Sequence, residues 1–290
     1  MDGIPLGPSY TWSEARRLGV TRGQIRTDGV ELSRGLYLSS AVEPELRVRC
    51  QAWAQVLPVD AAFGFRTAAV LHGVSESEPT TVHAVMRPRR VLPQRPGVTV
   101  HVRCLQDEDV VQHAGLRVTS GAQTFLDLAA LLPAADQLVL GDRLMRAGLM
   151  GQDDLARRLV RADRVRGVVR ARRWAPHLTG DAASPRESLM RFWLLDSDLP
   201  EPSVQLPIVD RWGRQVARAD LGYAEWKIAL EYEGRQHAEH AQFARDVDRY
   251  SLMAADDWLV LRFTARHGRY AVVDRTRRAL VNRGWRPHSN

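Results

Sequence analysis

The sequence predicts an α/β chain in three folded parts: an N-terminal winged helix-turn-helix, an α+β middle domain, and a C-terminal α/β sandwich with a mixed central sheet. Three observations predict it. Two short helical segments meet at a glycine-containing turn and run into a pair of alternating strands. Residues 41–150 interleave helix-period and strand-period patterns. From Ser184 the order is helix, three strands, helix, strand, helix, which layers helices on a sheet. At 290 residues the chain is long enough for more than one domain. The expected boundaries are 1–40 for the winged helix-turn-helix, 41–150 for the middle domain, 151–183 for a basic helical connection and 184–290 for the sandwich.

The first helix is expected from Ser13 as N-cap through Leu18, with Gly19 as its stop. Thr21-Arg22-Gly23-Gln24 has the Thr-x-x-Gln form of a capping box and opens a second helix through Thr27. Val30 to Leu38 then reads as a small β-wing. In the middle domain Glu45–Leu57 and Phe65–Leu71 are helical, and His72 before Gly73 reads as a helix end rather than a catalyst. Val82–Met86 and Val98–Val102 alternate like strands around the basic loop Arg87-Pro88-Arg89-Arg90, and Ala122–Leu132 and Asp136–Ala147 are helices. The connection carries Arg157, Arg158, Arg161, Arg164, Arg166, Arg170, Arg172 and Arg173 against Asp153, Asp154 and Asp163. Such a face either tracks phosphates or is a solvated helix surface. The sandwich is read as helices Ser184–Ser197, Ala241–Ala255 and Tyr270–Asn282 with strands Val204–Val209, Val216–Tyr223, Ile228–Glu233 and Trp258–Thr264. A turn at Asp210–Arg214 joins the first two strands.

Composition narrows the function classes. Lys+Arg total 41 against 34 Asp+Glu, a net charge of +7, so a polyanionic partner is admitted without being required. No apolar run approaches the ~20 residues of a membrane helix, and MDGIPLGPSYTW lacks the basic and apolar regions of a secretion signal. A cytoplasmic chain without a membrane partner is expected. Cys50 and Cys104 form no CxxC pair, so neither a disulfide framework nor a thiolate metal site is expected. No GxxxxGK[ST], GxGxxG or G-x-S-x-G motif is present, which argues against phosphate-loop and serine-nucleophile chemistry.

The informative run is Ala219 to Gly234. If Ala224–Lys227 form a four-residue hairpin loop, Tyr223 pairs with Ile228, Leu221 with Leu230 and Asp220 with Glu231. Glu231 and Glu233 then project to one side, and Asp220 shares it. Like charges facing each other beside Ile, Leu and Tyr require a shared proton or a cation. Hard oxygen donors without soft ones suit Mg²⁺ or Mn²⁺, which activate water and stabilise charge on a phosphodiester. Glu187 is open between this site and its own helix, because Ser184-Pro185-Arg186-Glu187 is itself a capping box with Pro at N1.

Glu187 on a leading helix, Asp220, Glu231-x-Glu233-Gly234 and His237 together resemble the PD-(D/E)XK nuclease superfamily, most nearly its very-short-patch-repair-like (Vsr-like) endonuclease domains. Gln205-Leu206-Pro207, Phe243-x-x-Asp246-x-x-Arg249 and Trp258-Leu259-Val260-Leu261-Arg262 extend the match over about 184–285. The resemblance implies a restriction-endonuclease-like sandwich and a divalent-metal phosphodiesterase acting on DNA. Asp220 would be the central ligand, Glu231 would take the acidic position of the (D/E)XK element, and Glu233 stands where the superfamily places its lysine. His237 would serve as general base, as a group behind the ligands, or in orienting the phosphate.

The first half, through Phe65-Arg66-Thr67-Ala68-Ala69-Val70-Leu71-His72-Gly73 and Thr119-Ser120-Gly121-Ala122-Gln123-Thr124-Phe125-Leu126-Asp127-Leu128-Ala129, resembles the AbiEi-type antitoxins of type IV toxin–antitoxin systems. That implies a recognition helix from Thr21 with Arg22, Gln24 and Arg26 near DNA and Arg34 reaching phosphate from the wing. The leading expectation is a DNA-binding, metal-dependent endonuclease. The alternative is a non-catalytic DNA-binding regulator or antitoxin with a degenerate nuclease-like domain. Either admits a homodimer and a cognate toxin or defence-system partner.

Overall fold

The computed structural model describes residues 6–233 and 250–287. Its chain divides into two compact units, Met1–Leu132 with Ala147–Pro176, and Pro133–Arg146 with His177–Asn290. Both mix helices with β-sheet. No described helix is long and apolar enough to cross a membrane.

The first unit opens with β1 (Ser9–Thr11), α1 (Trp12–Arg17), α2 (Arg22–Asp28), β2 (Gly29–Ser33) and β3 (Leu36–Ser39), the strands ordered β1-β3-β2 and antiparallel. Thr11, not Ser13, caps α1: its Oγ1 accepts from Glu14 N at 3.2 Å. Pairing of β1 with β3 places Thr11 in the extended conformation an N-cap needs, and a three-residue strand is too short to show in the sequence. The α2 capping box is present in both directions, Gln24 N to Thr21 Oγ1 at 3.3 Å and Thr21 N to Gln24 Oε1 at 2.9 Å. Tyr10, Ala15, Val20 and Ile25 form the small core of these helices.

Leu36 and Leu38 alternate with Tyr37 and point the other way, into a second core with Leu46, Cys50, Trp53, Val82, Met86 and Val118. That core holds α3 (Leu46–Ala54), α4 (Phe65–Leu71) and a mixed five-stranded sheet ordered β6-β5-β4-β8-β7. Its strands are β4 (Ala62–Phe63), β5 (Val82–Met86), β6 (Val98–Val102), β7 (Val110–His113) and β8 (Leu116–Thr119). The β7–β8 hairpin turns on Ala114 and Gly115, both with positive φ, a two-residue turn that His-Ala-Gly signals only weakly. Helices α5 (Gly121–Leu128), α7 (Gln152–Val160) and α8 (Val168–Trp174) complete the unit. Every residue of α5 is buried, and a Cβ on Gly121 would lie 2.4 Å from Leu149 O, so glycine permits that approach.

The second unit comprises α6 (Ala134–Arg146), α9 (Pro185–Leu195), the strands β9 (Ser203–Val209), β10 (Gln215–Tyr223), β11 (Ile228–Glu233) and β12 (Leu259–Thr264), a helical stretch at 250–255, and the helix Arg269–Asn282. The sheet order is β12-β11-β10-β9, with β11 and β12 parallel and the other pairs antiparallel. Successive residues of β11 serve opposite faces. Ile228 and Leu230 pack with Met190, Leu194, Val272 and Leu280, whereas Ala229 packs with Leu206, Ile208 and Met253. The sheet is thus covered on both sides. The expected helix 241–255 is described only over 250–255, and His237, Asp246 and Arg249 lie outside the described residues.

Candidate nucleic-acid interface and the carboxylate row

Between α2 and the β2–β3 turn lies an open groove of about 760 Å³ lined by Arg22, Arg26, Arg34 and Arg95 together with Trp12, Glu31 and Tyr37. Each wall has a local cause. The capping box starts α2 so that Ile25 faces the core at 1% exposure, which turns Arg22 and Arg26 outward. Arg22 stacks over Trp12, 5.8 Å from the ring centroid. Arg34 rides the β2–β3 turn beside Gly35, whose φ is +73°. Gly29 ends α2, and a Cβ there would come within 2.3 Å of the Tyr10 hydroxyl and 2.7 Å of Ile25 O. Only glycine lets the strand leave the helix this closely.

Three of the four expected DNA-facing residues, Arg22, Arg26 and Arg34, therefore share one groove. Gln24 does not line it. Its side-chain oxygen accepts from both Thr21 N and Thr21 Oγ1, at 2.9 and 2.8 Å. Arg95 is the residue sequence reading missed. It comes from the segment before β6 and donates to Arg34 O at 3.0 Å. Nothing local marks it, because its position depends on β3 joining the core beneath β5 and β6.

The carboxylates of the second unit lie on β10, β11 and the helix α9. Leu221 pairs with Leu230, Gly222 with Ala229 and Tyr223 with Ile228, the register expected, and the ladder ends there, one residue short of Asp220 and Glu231. Asp220 Oδ2 accepts from Tyr232 N at 2.7 Å. Glu231 is 6% exposed and its Oε2 accepts from the Tyr250 hydroxyl at 2.5 Å. Glu233 is ion-paired with Arg262 on β12. Glu187 is buried at the start of its helix: its Oε2 accepts from Ala183 N at 2.8 Å, just before the N-cap Ser184, whose Oγ accepts from Glu187 N at 3.2 Å. Gln205 Nε2 also donates to Glu187 Oε2 at 3.2 Å, which ties α9 to β9. Among the described residues no three His, Cys, Asp or Glu side chains converge as a metal site. Each of these carboxylates already has a protein donor.

In the arginine-rich stretch Arg157, Arg164, Arg166, Arg170, Arg172 and Arg173 are exposed, as a solvated helix surface has them, whereas Arg158 is buried and Arg161 half-buried. Arg158, 4% exposed, donates to Gln123 Oε1 at 2.6 Å and lies 3.4 Å from Asp109. Arg161 holds Asp109 and Glu108, Arg170 donates to Ala129 O and Leu132 O, and Arg172 donates to Leu159 O and Ala162 O. Burial pushes the Asp109 carboxyl up, but Arg161, the Gln106 amide and Arg158 outweigh it, so its pKa falls below the usual value. These guanidiniums stitch the helices of the first unit together.

The family model for the AbiEi antitoxin C-terminal domain matches residues 60–175. The match supports the antitoxin-like half of the sequence resemblance and covers none of the second sheet. No curated protein matches the chain. Among solved structures, the RV2827C protein from Mycobacterium tuberculosis is similar at 15% identity, with a TM-score of 0.46, over 63% of this chain and 75% of that one.

Proposed function

We propose that the chain is a non-catalytic DNA-binding regulator of the antitoxin type. In this reading residues 1–40 form a winged helix-turn-helix, α2 enters the major groove, and the β2–β3 turn lies against the backbone. One observation carries it: Arg22, Arg26, Arg34 and Arg95 converge on a single open groove beside α2. Four guanidiniums so close repel one another, and a polyphosphate backbone relieves that repulsion by releasing condensed counterions. The AbiEi match at residues 60–175 supports the antitoxin role and, with it, a cognate toxin as the regulated partner.

The test is titration of a labelled duplex from upstream of the chain's own gene at several salt concentrations. Arg26→Ala weakens binding and flattens the dependence of log K on log salt by about 0.9, the contribution of one phosphate contact. Equal affinity and slope for Arg26→Ala and the parent would reject the reading.

A second reading, a Vsr-like endonuclease using Mg²⁺ or Mn²⁺, would rest on Asp220 and Glu231, which follow the end of the β10–β11 ladder at Leu221–Leu230. A cation there would displace the Tyr232 amide or the Tyr250 hydroxyl from these carboxylates. Plasmid nicking that requires the metal and is lost in Asp220→Ala would establish it. Absence of nicking, or nicking that survives Asp220→Ala, would remove it.

A further inference from the structure

The β9–β10 hairpin ends in a turn, Asp210–Arg214, that is unusually well fixed for a surface loop. Asp210 is 7% exposed, and its Oδ1 accepts from Trp212 N and Arg214 N, both at 2.9 Å. Its Oδ2 accepts from Arg214 Nε at 2.8 Å. Two backbone bonds close the loop, Asp210 N to Arg214 O at 2.9 Å and Gly213 N to Asp210 O at 3.0 Å, with Gly213 at φ +79°. A glycine with positive φ and a buried Asx turn account for the whole backbone. Neither requires a tryptophan.

Yet the tip carries Trp212, 70% exposed. An indole held in water forgoes the stabilisation that burial of a large apolar side chain contributes. The guanidiniums of Arg211 and Arg214 lie 5.4 and 5.1 Å from its ring centroid, and their side chains are 64% and 74% exposed. The turn thus presents an aromatic face flanked by two exposed guanidiniums, Arg211 lying 3.4 Å from Asp256 and Arg214 2.8 Å from Asp210.

We propose that this tip is a stacking site for an unpaired nucleobase, with Arg211 and Arg214 taking the adjoining phosphates. The chemistry selects that ligand over its competitors. An intact duplex keeps its bases stacked on one another and offers no free face at a hairpin tip. A protein hot spot surrounds its tryptophan with residues that exclude water, whereas here the flanking turn residues are Asp210, Arg211, Gly213, Arg214 and Gln215. Single strands are held by an aromatic platform beside positive charge, and any base can supply the second face. The site is separate from the α2 groove and does not depend on its reading.

The experiment is fluorescence anisotropy of the full chain with a labelled 20-nucleotide oligodeoxythymidine. Trp212→Ala should weaken binding about 5- to 150-fold, the range found for loss of one base–aromatic stack. Trp212→Phe should recover most of it, and Arg211→Ala with Arg214→Ala should lower the salt slope by about 1.4. Far-UV circular dichroism should be unchanged, because the indole packs against no core. Undetectable binding by the parent at 50 mM salt, or equal affinity for the parent and Trp212→Ala, would overturn the proposal. If Trp212→Ala instead abolished capture of a protein partner while oligodeoxythymidine binding persisted, the tip would be a protein contact and the proposal would fall. Arg26→Ala, which tests the duplex groove, should leave the Trp212 effect unchanged.

Discussion

At the scale of single residues, charge is decided by burial and partners rather than by composition. Asp142 and Arg191 show this most clearly. Both are almost fully buried, and Arg191 reaches both Asp142 oxygens at 2.7 Å while also donating to His177 O. Burial pushes the Asp142 carboxyl up and Arg191 pulls it back, with burial prevailing. Removing one partner strands the other in low dielectric, so Asp142→Asn should cost about 3–5 kcal/mol in urea unfolding. Asp142→Leu combined with Arg191→Met should recover much of that loss. Histidine supplies a pH prediction in the first unit. His83 Nδ1 and His101 Nε2 are 2.9 Å apart, and the His101 ring stacks on Phe65 at 3.7 Å between centroids. Burial, then His83 and Arg103, lower the His101 pKa from 6.5 to about 4. The unfolded chain therefore binds a proton near pH 6.5 that the folded chain refuses until about pH 4, and stability falls as the pH drops through that window. Urea midpoints at pH 7 and pH 4.5 should differ, and His101→Phe should narrow the difference.

At the scale of elements, local chemistry was readable wherever a motif closes on itself. The Thr21–Gln24 box, the helix Phe65–Leu71, the strands Val82–Met86 and Val98–Val102, and the Tyr223–Ile228 hairpin register all appear where residue pattern places them. Thr21→Ala should remove a cap worth about 1 kcal/mol and lower the melting temperature accordingly. Gly29→Ala tests the closer constraint, since its methyl group meets Ile25 O and the Tyr10 hydroxyl. It should destabilise by about 1–3 kcal/mol and, by moving β2 from α2, should weaken duplex binding as well. Elements were missed where they are short and stabilised only by neighbours. β1, β4 and the β7–β8 hairpin have two to four residues each and carry no alternation long enough to detect. Their existence depends on the sheet that receives them.

At the scale of the whole molecule, the units do not follow the divisions that composition suggests. α6 lies within the span 41–150 yet packs with α9 in the second unit, drawn there by the Asp142–Arg191 pair. The arginine-rich stretch 151–176 lies within the first unit, where Arg158 and Arg161 meet Asp109. Glu187 illustrates the same lesson, its carboxylate held by Ala183 N just before its helix and by Gln205 of β9. The sequence alone determined the mixed α/β class, the basic helix and turn near the N-terminus, and the hairpin register from Leu221–Leu230 to Tyr223–Ile228, because caps, turns and strand register are set by residues adjacent along the chain. Only the tertiary structure decided that Arg95 joins Arg34, that Arg158 is consumed in the interior, and that Glu233 is paired with Arg262. Those outcomes rest on desolvation and on contacts between residues far apart in sequence, which leave no local mark.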